Sequence, residues 1–597
     1  MAKINTTKQD EKLILDRNGM KTFFRMLKYL LKYPKMLVFT FVILGICVAI
    51  SMANPLIVER CINVHIKNKD MNSLISLSVF ALLMNIAMIF LVKLRMYFTS
   101  VMSNDAVVRI REDLFKHIQT LDFQFFDSRP AGKIIARLMG DVNSLKNALS
   151  NAVVTLIPDL LTVICALVIM LIKSPLLALA AIISLPLLIA GMFFVEAKNR
   201  VNWAYHRTKS SNVSAFVHED IAGVRIVQGF NAEKETEGDF KNYVKDQKWS
   251  FVKAILYSDL FGPVIEISSA LGTVSLYYIG IKMIGGEGME VGTLLAFLSY
   301  IMMFWQPISR LGSFYNTMIT NIAAANRIFD IMDTEPDVRD IEGATLLPEI
   351  KGEVEFENVT FSYDGEKNVL ENVSFKVKPG QTIALVGPTG AGKTTIVNLL
   401  SRFYEIPSGR ILVDGNDISK VTLESLRSQL GIMTQDNFLF SGTIKDNIRY
   451  GKSDATDEEI EAAAKAVCAH DFIMKMEKGY DTEIKERGAG LSIGQRQLLA
   501  FARTMVKKPS ILILDEATSS IDTKTEILVQ KGIASLLEGR TSFVIAHRLS
   551  TIQKADMIFV VDKGGIVEAG TAKELMEKKG EYYKLYTAQL ADVSKIA

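Results

Sequence analysis

Six long apolar stretches in the first half of the chain constrain its fold more than any other feature. They lie near residues 36–58, 73–96, 150–173, 175–196, 256–284 and 292–318. Each has about the 20 residues that an α-helix needs to cross the hydrocarbon core of a bilayer. Because a backbone in lipid has to satisfy its own hydrogen bonds, we predict six transmembrane helices. The mean hydropathy of the 597-residue chain is positive, +0.23, although its second half has the composition of an ordinary globular domain.

The connections between these stretches alternate between short and long. The long connections, 97–149 and 197–255, are charged and show helical patterns, and Lys and Arg are dense in both of them. The positive-inside rule places these connections in the cytoplasm. Helices of about 25 residues running down and back would extend tens of ångströms beyond the membrane. A basic amphipathic segment at 21–35 follows a polar tail at 1–20 and predicts a helix on the membrane surface, with a solvated helix as the alternative.

Several ionisable residues fall within the apolar stretches, among them Lys93, Arg95, Asp159 and Glu266. Charges at membrane depth usually face the interior of a helix bundle or a water-filled cavity, so these residues are candidates for a substrate pathway. Helices that extend beyond the bilayer leave the depth open, and a position at the cytoplasmic interface is an equal alternative. Prolines in or beside the stretches predict helix kinks at Pro55, Pro158, Pro175, Pro186, Pro263 and Pro307.

The second half of the chain contains a motif with the spacing G-x-x-x-x-G-K-T. It follows the apolar run 382–386 and precedes a helical pattern, which is the strand–loop–helix context of a phosphate-binding loop. Backbone N–H groups of such a loop surround phosphate oxygens, and the helix N-terminus favours negative charge. We predict that Lys393 reaches the β- and γ-phosphates and that the Thr394 hydroxyl binds Mg²⁺. The candidate nucleotide ligands are Gly387, Pro388, Thr389, Gly390, Ala391, Gly392, Lys393, Thr394 and Thr395.

A second apolar run, 511–514, ends in two adjacent carboxylates, Asp515 and Glu516. A buried strand of this kind places Asp515 beside the metal ion of a nucleotide and Glu516 within reach of the γ-phosphate. The segment Leu-Ser-Ile-Gly-Gln-Arg-Gln lies upstream at 491–497, and Ala-His-Arg lies downstream at 546–548. In their order, these motifs resemble those of the ATP-binding cassette (ABC) transporters, and the resemblance covers nearly the whole chain.

The resemblance implies further site residues. Tyr363 matches the aromatic residue that stacks on adenine, and Gln435 matches the glutamine that links Mg²⁺ to the membrane domain. Glu516 would polarise the attacking water, while His547 would help hold the γ-phosphate. The catalytic residues implied are therefore Lys393, Glu516 and His547, and the Mg²⁺ ligands are Thr394 and Gln435. The signature residues that contact the nucleotide of the opposing domain are Ser492, Gly494 and Gln495.

The fold implied by the resemblance is a helical membrane domain of six spans with long cytoplasmic extensions, followed by an α/β P-loop cassette domain. The expected boundaries are a tail at 1–20, a membrane domain at 21–332, a linker at 333–349 and a cassette domain at 350–590. Segments near 122–138 and 216–230, which include Phe126 and Arg225, resemble the coupling segments of ABC exporters. In the cassette domain, the sequence predicts a mainly parallel sheet with strands near 353–361, 373–387 and 541–546.

The function implied by the resemblance is that of one half of a dimeric ATP-driven exporter. Two cassette domains would bind two ATP molecules between them and switch the membrane domains from inward- to outward-facing. The expected substrates are amphipathic drugs or lipids, and the expected cofactors are ATP and Mg²⁺. The expected location is the bacterial plasma membrane, with several spans and with both termini and the cassette domain in the cytoplasm.

Residue Ile493 bears on the partner subunit. The family pattern at this point is Leu-Ser-Gly-Gly-Gln, where the first glycine allows the backbone to approach the partner's nucleotide closely. Isoleucine adds bulk at this position, whereas Ser492 and Gly494 are retained. The resemblance therefore favours a heterodimer, in which Glu516 works opposite an intact signature from a different subunit. A homodimer that tolerates Ile493 is the alternative.

Other functions remain open at this stage, and each makes a different demand on the sequence. A soluble ABC ATPase acting on nucleic acid is disfavoured by the six bilayer-length stretches, and the net charge of +3 gives no reason to expect a nucleic-acid partner. An ATP-gated channel fits poorly with the complete hydrolytic site that Glu516 implies. A lipid or peptide exporter that works as a homodimer, and an importer with the same fold, are further alternatives. The four cysteines lie far apart and predict neither a metal site nor a disulfide framework.

Overall fold

A computed structural model describes residues 18–285, 289–434, 437–515, 523–545 and 552–587. Contacts divide the chain into two compact units. Unit 1 comprises Met1–Gln119 and Gly132–Asp333, and unit 2 comprises Thr120–Ala131 and Thr334–Ala597. The segment 120–131 therefore groups with unit 2, although the chain on either side of it belongs to unit 1.

Helices make up nearly all of the described part of unit 1. In chain order, and including α4 of unit 2, they are α1 (Asn18–Leu31), α2 (Pro34–Arg60), α3 (Met71–Thr120), α4 (Phe123–Asp127), α5 (Ala131–Ala136), α6 (Val142–Asn151), α7 (Ile157–Lys173), α8 (Pro175–Ile182), α9 (Leu185–Ala222), α10 (Val224–Gly229), α11 (Glu233–Ser258), α12 (Phe261–Gly285) and α13 (Val291–Met332). Three π-helical turns continue some of them, at Cys61–Ile66, Arg137–Asp141 and Ala152–Leu156.

The helices of unit 1 include the predicted membrane spans. Among the described residues, six helical stretches are long and apolar enough to cross a bilayer: Pro34–Ile66, Met71–Thr120, Ala131–Lys173, Pro175–Ala222, Glu233–Ile284 and Val291–Leu311. This confirms the prediction of six apolar helices. The second and fifth are 50 and 52 residues long, far more than the roughly 20 residues that a bilayer needs. Their helices therefore continue well beyond any membrane that they cross.

The prolines for which kinks were predicted take two kinds of position in the helices of unit 1. Pro158, Pro175 and Pro186 each take the first or second position of a helix. At a helix start, the missing N–H group of proline would have no intrahelical acceptor in any case, so proline is tolerated without a break. Pro55 and Pro307 do lie inside helices, α2 and α13 respectively. Pro158 follows the π-helical turn Ala152–Leu156, and Pro186 follows a two-residue turn between α8 and α9, so the predicted kinks at these prolines stay predictions.

The core of unit 1 is formed around α13. Phe297, Tyr300 and Phe304 recur at intervals of three to four residues along this helix, Trp305 directly follows Phe304, and all four are almost completely buried. The Tyr300 hydroxyl donates a hydrogen bond of 2.7 Å to the carbonyl oxygen of Met52 in α2. A row of large buried side chains at this spacing fixes one face of α13 against the helices that it packs on.

Unit 2 is built on β-sheets with helices packed against them. Its strands are β1 (Val354–Phe361), β2 (Leu370–Val377), β3 (Thr382–Val386), β4 (Ser408–Val413), β5 (Asn416–Asp417), β6 (Leu430–Met433), β7 (Gly442–Thr443), β8 (Glu483–Ile484), β9 (Ile511–Asp515), β10 (Thr541–Ile545), β11 (Met557–Asp562) and β12 (Gly565–Gly570). Its helices after α13 are α14 (Lys393–Leu400), α15 (Leu423–Ser428), α16 (Ile444–Arg449), α17 (Asp457–Ala466), α18 (His470–Met474), α19 (Ile493–Lys507), α20 (Thr523–Leu537) and α21 (Ala572–Lys578). Three short 3₁₀ turns lie at Ile418–Lys420, Gly479–Asp481 and Glu486–Gly488.

The larger sheet of unit 2 is mainly parallel, as predicted. Among the described residues its strand order is β12-β11-β3-β10-β9-β6, and only β12 runs antiparallel to its neighbour. A second sheet has the order β2-β1-β4-β5 and is antiparallel. Parallel strands end at one edge of a sheet, and loops at that edge are where α/β folds bind ligands. The loop after β3 lies at this edge.

One predicted strand, 373–387, is wrong as a single element. The structure has two strands there, β2 and β3, which belong to different sheets. A turn separates them: the N–H group of Gln381 donates to the carbonyl oxygen of Lys378 at 3.2 Å, and Gly380 has a φ of +78°. Pro379 and Gly380 are the residues that break the strand, since proline and glycine favour such turns.

Candidate nucleotide-binding site

The glycine-rich loop 387–392 joins the end of β3 to the start of α14. Gly387 and Gly392 have φ values of +151° and +107°, which residues other than glycine rarely adopt. A Cβ atom at Gly387 would lie 2.1 Å from the carbonyl oxygen of Val561 in β11. Glycine is therefore required here both for the backbone angle and for the close packing of the loop on the sheet. The loop and the first turn of α14 have the geometry of a phosphate-binding loop.

The ammonium group of Lys393 lies inside this loop. Its Nζ atom donates hydrogen bonds of 2.8 Å to the carbonyl oxygens of Gly387 and Pro388. Burial lowers the pKa of Lys393, and the carboxylate of Asp515 at the end of β9 acts in the opposite direction. The structure thus brings together two residues that the sequence predicted from separate motifs. A cation and a carboxylate at the edge of a parallel sheet suit the binding of a nucleotide with its metal ion.

The two threonines after Lys393 differ in their environment. Thr394 is exposed at the first turn of α14, so its hydroxyl is accessible to a ligand. Thr395 is buried, and its Oγ1 atom lies 3.1 Å from the hydroxyl of Tyr363. This hydrogen bond ties the aromatic residue that matches the adenine-stacking position to the helix that follows the phosphate-binding loop.

The ring of Tyr363 packs edge-on against two other aromatic rings, and part of its surface is exposed. It is 38% exposed and forms edge-on contacts with Phe361 and Tyr404, whose ring centroids lie 4.9 Å and 5.0 Å away. A cavity of about 410 Å³, lined by Tyr363, Tyr404 and Asp122 among others, opens beside it. An aromatic ring fixed in this way presents a rigid apolar surface to a base.

The first predicted coupling segment, which includes α4, packs against the same part of unit 2. Asp122 caps α4 by accepting a hydrogen bond of 3.0 Å from the N–H group of Phe125. The ring of Phe123 lies 4.2 Å from that of Phe403. The hydroxyl of Tyr404 donates a hydrogen bond to the carboxylate of Asp127. Burial raises the pKa of Tyr404 above its ordinary value, and this hydrogen bond raises it further.

These contacts name residues that the sequence analysis missed. Asp122, Asp127 and Tyr404 connect α4 to the ring of Tyr363 through a short chain of contacts. The role of Asp122 as a helix cap could have been predicted, because an aspartate directly before a helical segment is typical of an N-cap. Tyr404 had no such signal, because the residues that it contacts, Asp127 and Tyr363, are distant from it in sequence.

The signature segment begins α19. Ser492 and Gln495 form a capping box: the hydroxyl of Ser492 accepts from the N–H group of Gln495 at 3.2 Å, and the side-chain oxygen of Gln495 accepts from the N–H group of Ser492 at 2.9 Å. Gly494 is buried, whereas the side chain of Ile493 is 45% exposed. The isoleucine therefore projects outward from the first turn of the helix.

Three predicted site residues lie outside the residues that the structure describes: Gln435, Glu516 and His547. The strands that precede them in sequence are β6, β9 and β10, which are neighbours in the larger sheet and parallel to one another. These strands end at the same edge as β3. The described part of the chain thus supplies the phosphate-binding loop, Tyr363, the signature segment and Asp515.

The four candidate residues for a substrate pathway differ in burial, and they divide into an exposed pair and a buried pair. Lys93 and Glu266 are exposed on unit 1, whereas Arg95 and Asp159 are buried within it. Asp159 accepts two hydrogen bonds from Arg310, of 3.0 Å from Nε and 2.7 Å from Nη2. Arg310 was missed as a partner, although a cation near the end of an apolar stretch was a signal for one.

Comparison with known proteins gives two family matches. Residues 37–308 match the model of the ABC transporter transmembrane region, and residues 370–519 match the ABC transporter model. An uncharacterized ABC transporter ATP-binding protein, YknV of Bacillus subtilis (strain 168), is 42% identical over 500 residues, which are 83% of this chain and 82% of the relative. The ATP-dependent lipid A-core flippase of Syntrophus aciditrophicus (strain SB) is 39% identical over 487 residues, 81% of each chain.

A solved structure is similar over almost the whole length. It is the structure of a bacterial Atm1-family ABC exporter with ATP bound, at a TM-score of 0.79 and 29% sequence identity. The similarity covers 93% of this chain and 98% of the other.

Proposed function

The chain belongs to the ABC exporters whose membrane and ATP-binding regions are fused, and from this premise we propose that it exports amphipathic substrates, drugs or lipids, as one half of a dimer. Members of this family couple ATP hydrolysis to transport and act as dimers. The observation that carries the proposal is the presence of the loop around Lys393 in one chain with six bilayer-length helices. The lipid A-core flippase among the relatives supports a lipid substrate.

The chemistry of hydrolysis is assigned to residues at one edge of the sheet. Lys393 would exchange its hydrogen bonds to loop carbonyls for the β- and γ-phosphates of ATP, and Tyr363 would stack on adenine. Glu516 follows Asp515 directly and would orient the attacking water, and His547 would hold the γ-phosphate. Phosphoryl transfer needs little covalent chemistry from the protein, so placing these charges is the main task.

The residues at the loop fit a magnesium ion. The exposed hydroxyl of Thr394 and the carboxylate of Asp515 are hard oxygen donors, which Mg²⁺ prefers. Together with Gln435 they would hold the ion, which would neutralise charge on the phosphates when bound. The buried ammonium group of Lys393 would place a further positive charge beside the same phosphates.

Transport requires that events at the nucleotide reach the membrane helices. The segment 120–131 is continuous in sequence with α3, and it groups with unit 2. Within unit 2 its Asp127 contacts Tyr404, which in turn contacts Tyr363. We propose that this segment carries movement of the nucleotide site to α3, and that the segment containing Arg225 serves the second connection.

The partner is proposed to be a different subunit. Ile493 is exposed at the start of α19, where the family pattern has glycine and where the backbone approaches the nucleotide of the opposing domain. An isoleucine at this point would weaken the site that it faces. A partner with an intact signature would then complete the hydrolytic site that contains Glu516.

Transport in proteoliposomes tests the proposal. The chain is reconstituted alone and together with the proposed partner subunit. The ATP-dependent movement of fluorescent phospholipids and amphipathic dyes across the membrane is then measured. The matched control is Glu516→Gln, which should retain ATP binding but lose at least about a hundredfold in ATP turnover and in transport, because the water-orienting carboxylate is gone. ATP-dependent ion currents without dye or lipid movement would instead indicate a channel, and turnover near wild type in Glu516→Gln would reject the assigned base.

A further inference from the structure

Several buried side chains of unit 1 carry hydrogen-bonding atoms that no described residue satisfies, among them Asn199, Trp305 and Asn321, and four others lie on the neighbouring helices α2 and α3. These four are Arg95, Thr99 and Ser103 in α3 and Thr40 in α2, and all are at least nine-tenths buried. The unpaired atoms are Nε of Arg95, Oγ1 of both threonines and Oγ of Ser103. Buried polar groups in proteins nearly always have a partner, so this set indicates a partner that the chain itself does not provide.

The helix spacing and one ring contact between α2 and α3 place these four residues in the same region of unit 1. Arg95, Thr99 and Ser103 are spaced by four residues, so they form one row along α3. The rings of Phe39 and Phe98, the immediate neighbours of Thr40 and Thr99 in sequence, have centroids 5.1 Å apart. This contact places Thr40 level with Thr99 on the adjacent helix. The row on α3 and Thr40 therefore form one donor cluster.

The charge of Arg95 is not balanced within unit 1. Asp159 lies within electrostatic range of it, but both oxygens of that carboxylate already accept hydrogen bonds from Arg310. Arg95 itself forms no hydrogen bond or ion pair with any residue that the structure describes. Among the described residues, Arg95 therefore has no counter-ion that is hydrogen-bonded to it. A buried cation without a full counter-charge is costly and favours binding of an anion.

The depth of the donor cluster fits the end of a membrane span. Arg95 lies about 36 Å along α3 from Met71, at 1.5 Å per residue, and the hydrocarbon core is about 30 Å thick. It therefore lies near the end of the span from which α3 continues as an extension towards Thr120. In the orientation expected from the charges of the long connections, this is the cytoplasmic side, where the headgroups of the inner leaflet lie.

We propose that the donor cluster binds the anionic headgroup, phosphate or carboxylate, of an amphipathic substrate taken from the inner leaflet. All four side chains can donate hydrogen bonds, and a guanidinium group matches the planar oxygens of either anion. A metal cation would find no acceptor-only group in the cluster and would be repelled by Arg95. The proposal rests on the proposed export of amphipathic substrates and specifies their chemical class.

Equilibrium binding tests the cluster without requiring transport. The full chain, with its partner where one is needed, is placed in nanodiscs of uncharged lipid and titrated with four fluorescent probes of equal chain length. These are a fatty acid, a lysophosphatidic acid, a monoacylglycerol and a long-chain amine. We expect the anionic probes to bind about tenfold or more tightly than the neutral one, and Arg95→Gln to remove that preference, since charge-assisted hydrogen bonds are the strong ones.

Two further variants separate charge from folding. Arg95→Lys should keep most of the preference, and Thr99→Val, which changes shape little, should reduce it by a smaller factor. Lys69→Gln, which removes an exposed charge in the turn before α3, should leave binding of all four probes unchanged. A preference for only one of the two anions would identify the headgroup as phosphate or as carboxylate.

The outcomes distinguish this site from the proposed function. Equal binding of anionic and neutral probes by wild type would overturn the anion site, as would an anion preference that persists in both Arg95→Gln and Thr99→Val; ordered water would then be the partner of the cluster. ATP-dependent movement of the neutral or cationic probe in proteoliposomes would in that case still support amphiphile export. Anion binding without ATP-dependent movement of any probe would keep the site and reject export.

Discussion

At the residue scale, Lys393 is held by the carbonyl oxygens of its own loop, and a bound phosphate has to displace them. The two hydrogen bonds of 2.8 Å keep the ammonium group in position while it is buried. Burial is also the main reason why the pKa of Lys393 is lowered. The same desolvation that makes the group electrostatically strong towards phosphate therefore makes its charge easier to lose.

This lowered pKa predicts a pH dependence of ATP binding. As the pH rises towards the lowered pKa of Lys393, a growing fraction of this side chain is neutral and has to take up a proton when ATP binds, so ATP affinity should fall. At high pH the site loses the positive charge of Lys393. At lower pH Lys393 is charged, and the affinity for ATP is highest. The measurement is the dissociation constant of a non-hydrolysable ATP analogue between pH 7 and 9.5.

Lys393→Arg is the matched control, since its guanidinium group stays charged over this range. Its affinity should be lower at neutral pH because the geometry differs, but it should vary little with pH. Lys393→Ala should bind ATP much more weakly throughout. Equal pH slopes for wild type and Lys393→Arg would show that the titrating group is not Lys393.

At the element scale, the short helix α4 shows what sequence patterns can and cannot locate. Its position was predicted through the resemblance, with Phe126 as the coupling residue. In the structure the ring of Phe123 contacts that of Phe403, while the ring of Phe126 contacts that of Phe125 within the same segment; both Phe123 and Phe126 are partly exposed. Adjacent aromatic residues in a short helix point in different directions, and which one packs depends on a surface far away in sequence.

The packing of α4 gives a prediction for coupling. Phe123→Ala should reduce the stimulation of ATP hydrolysis by substrate several-fold, because an aromatic pair is worth about 1 kcal/mol, while ATP affinity changes by less than about twofold. Phe126→Ala should cause a smaller loss. The measurements are steady-state phosphate release with and without substrate, and nucleotide binding. A larger loss of stimulation in Phe126→Ala would contradict the contact surface assigned to α4.

The limits of sequence reasoning follow the distance over which each signal acts. Local signals located the six apolar helices and the loop before Lys393, because length and spacing are encoded in consecutive residues. The break between β2 and β3 was missed although Pro379 and Gly380 are a local turn signal. The pairs Asp159–Arg310 and Asp127–Tyr404 were missed because their members are separated by 151 and 277 residues, and only Arg310, a cation within an apolar stretch, had a local signal.

At the scale of the whole molecule, Ile493 links the start of α19 to the composition of the dimer. The side chain is 45% exposed at the first turn, beside the buried Gly494. In a homodimer, both nucleotide sites would contain this isoleucine. In a heterodimer, only one would, and the other would combine Glu516 with the signature of the partner.

These two assemblies predict different enzymology. For the heterodimer, the purified chain alone should release phosphate slowly, and adding the second subunit should restore substrate-stimulated turnover. Ile493→Gly should raise the activity of the chain alone, because it relieves the backbone approach at both sites. The measurement is phosphate release in lipid nanodiscs. Strong substrate-stimulated hydrolysis by the chain on its own would decide for the homodimer.

The capping box of Ser492 changes how a mutation at the signature has to be interpreted. The hydroxyl of Ser492 caps the N-terminus of α19 by accepting a hydrogen bond from the N–H group of Gln495. The proton of this hydroxyl remains available for a phosphate oxygen. Replacing a serine cap by alanine costs about 1 kcal/mol of helix stability, whereas glycine costs only a few tenths. Because α19 carries the buried Leu498 and Phe501, Ser492→Ala alters folding and nucleotide contact together. Ser492→Gly removes the contact while leaving the helix terminus nearly as stable as before.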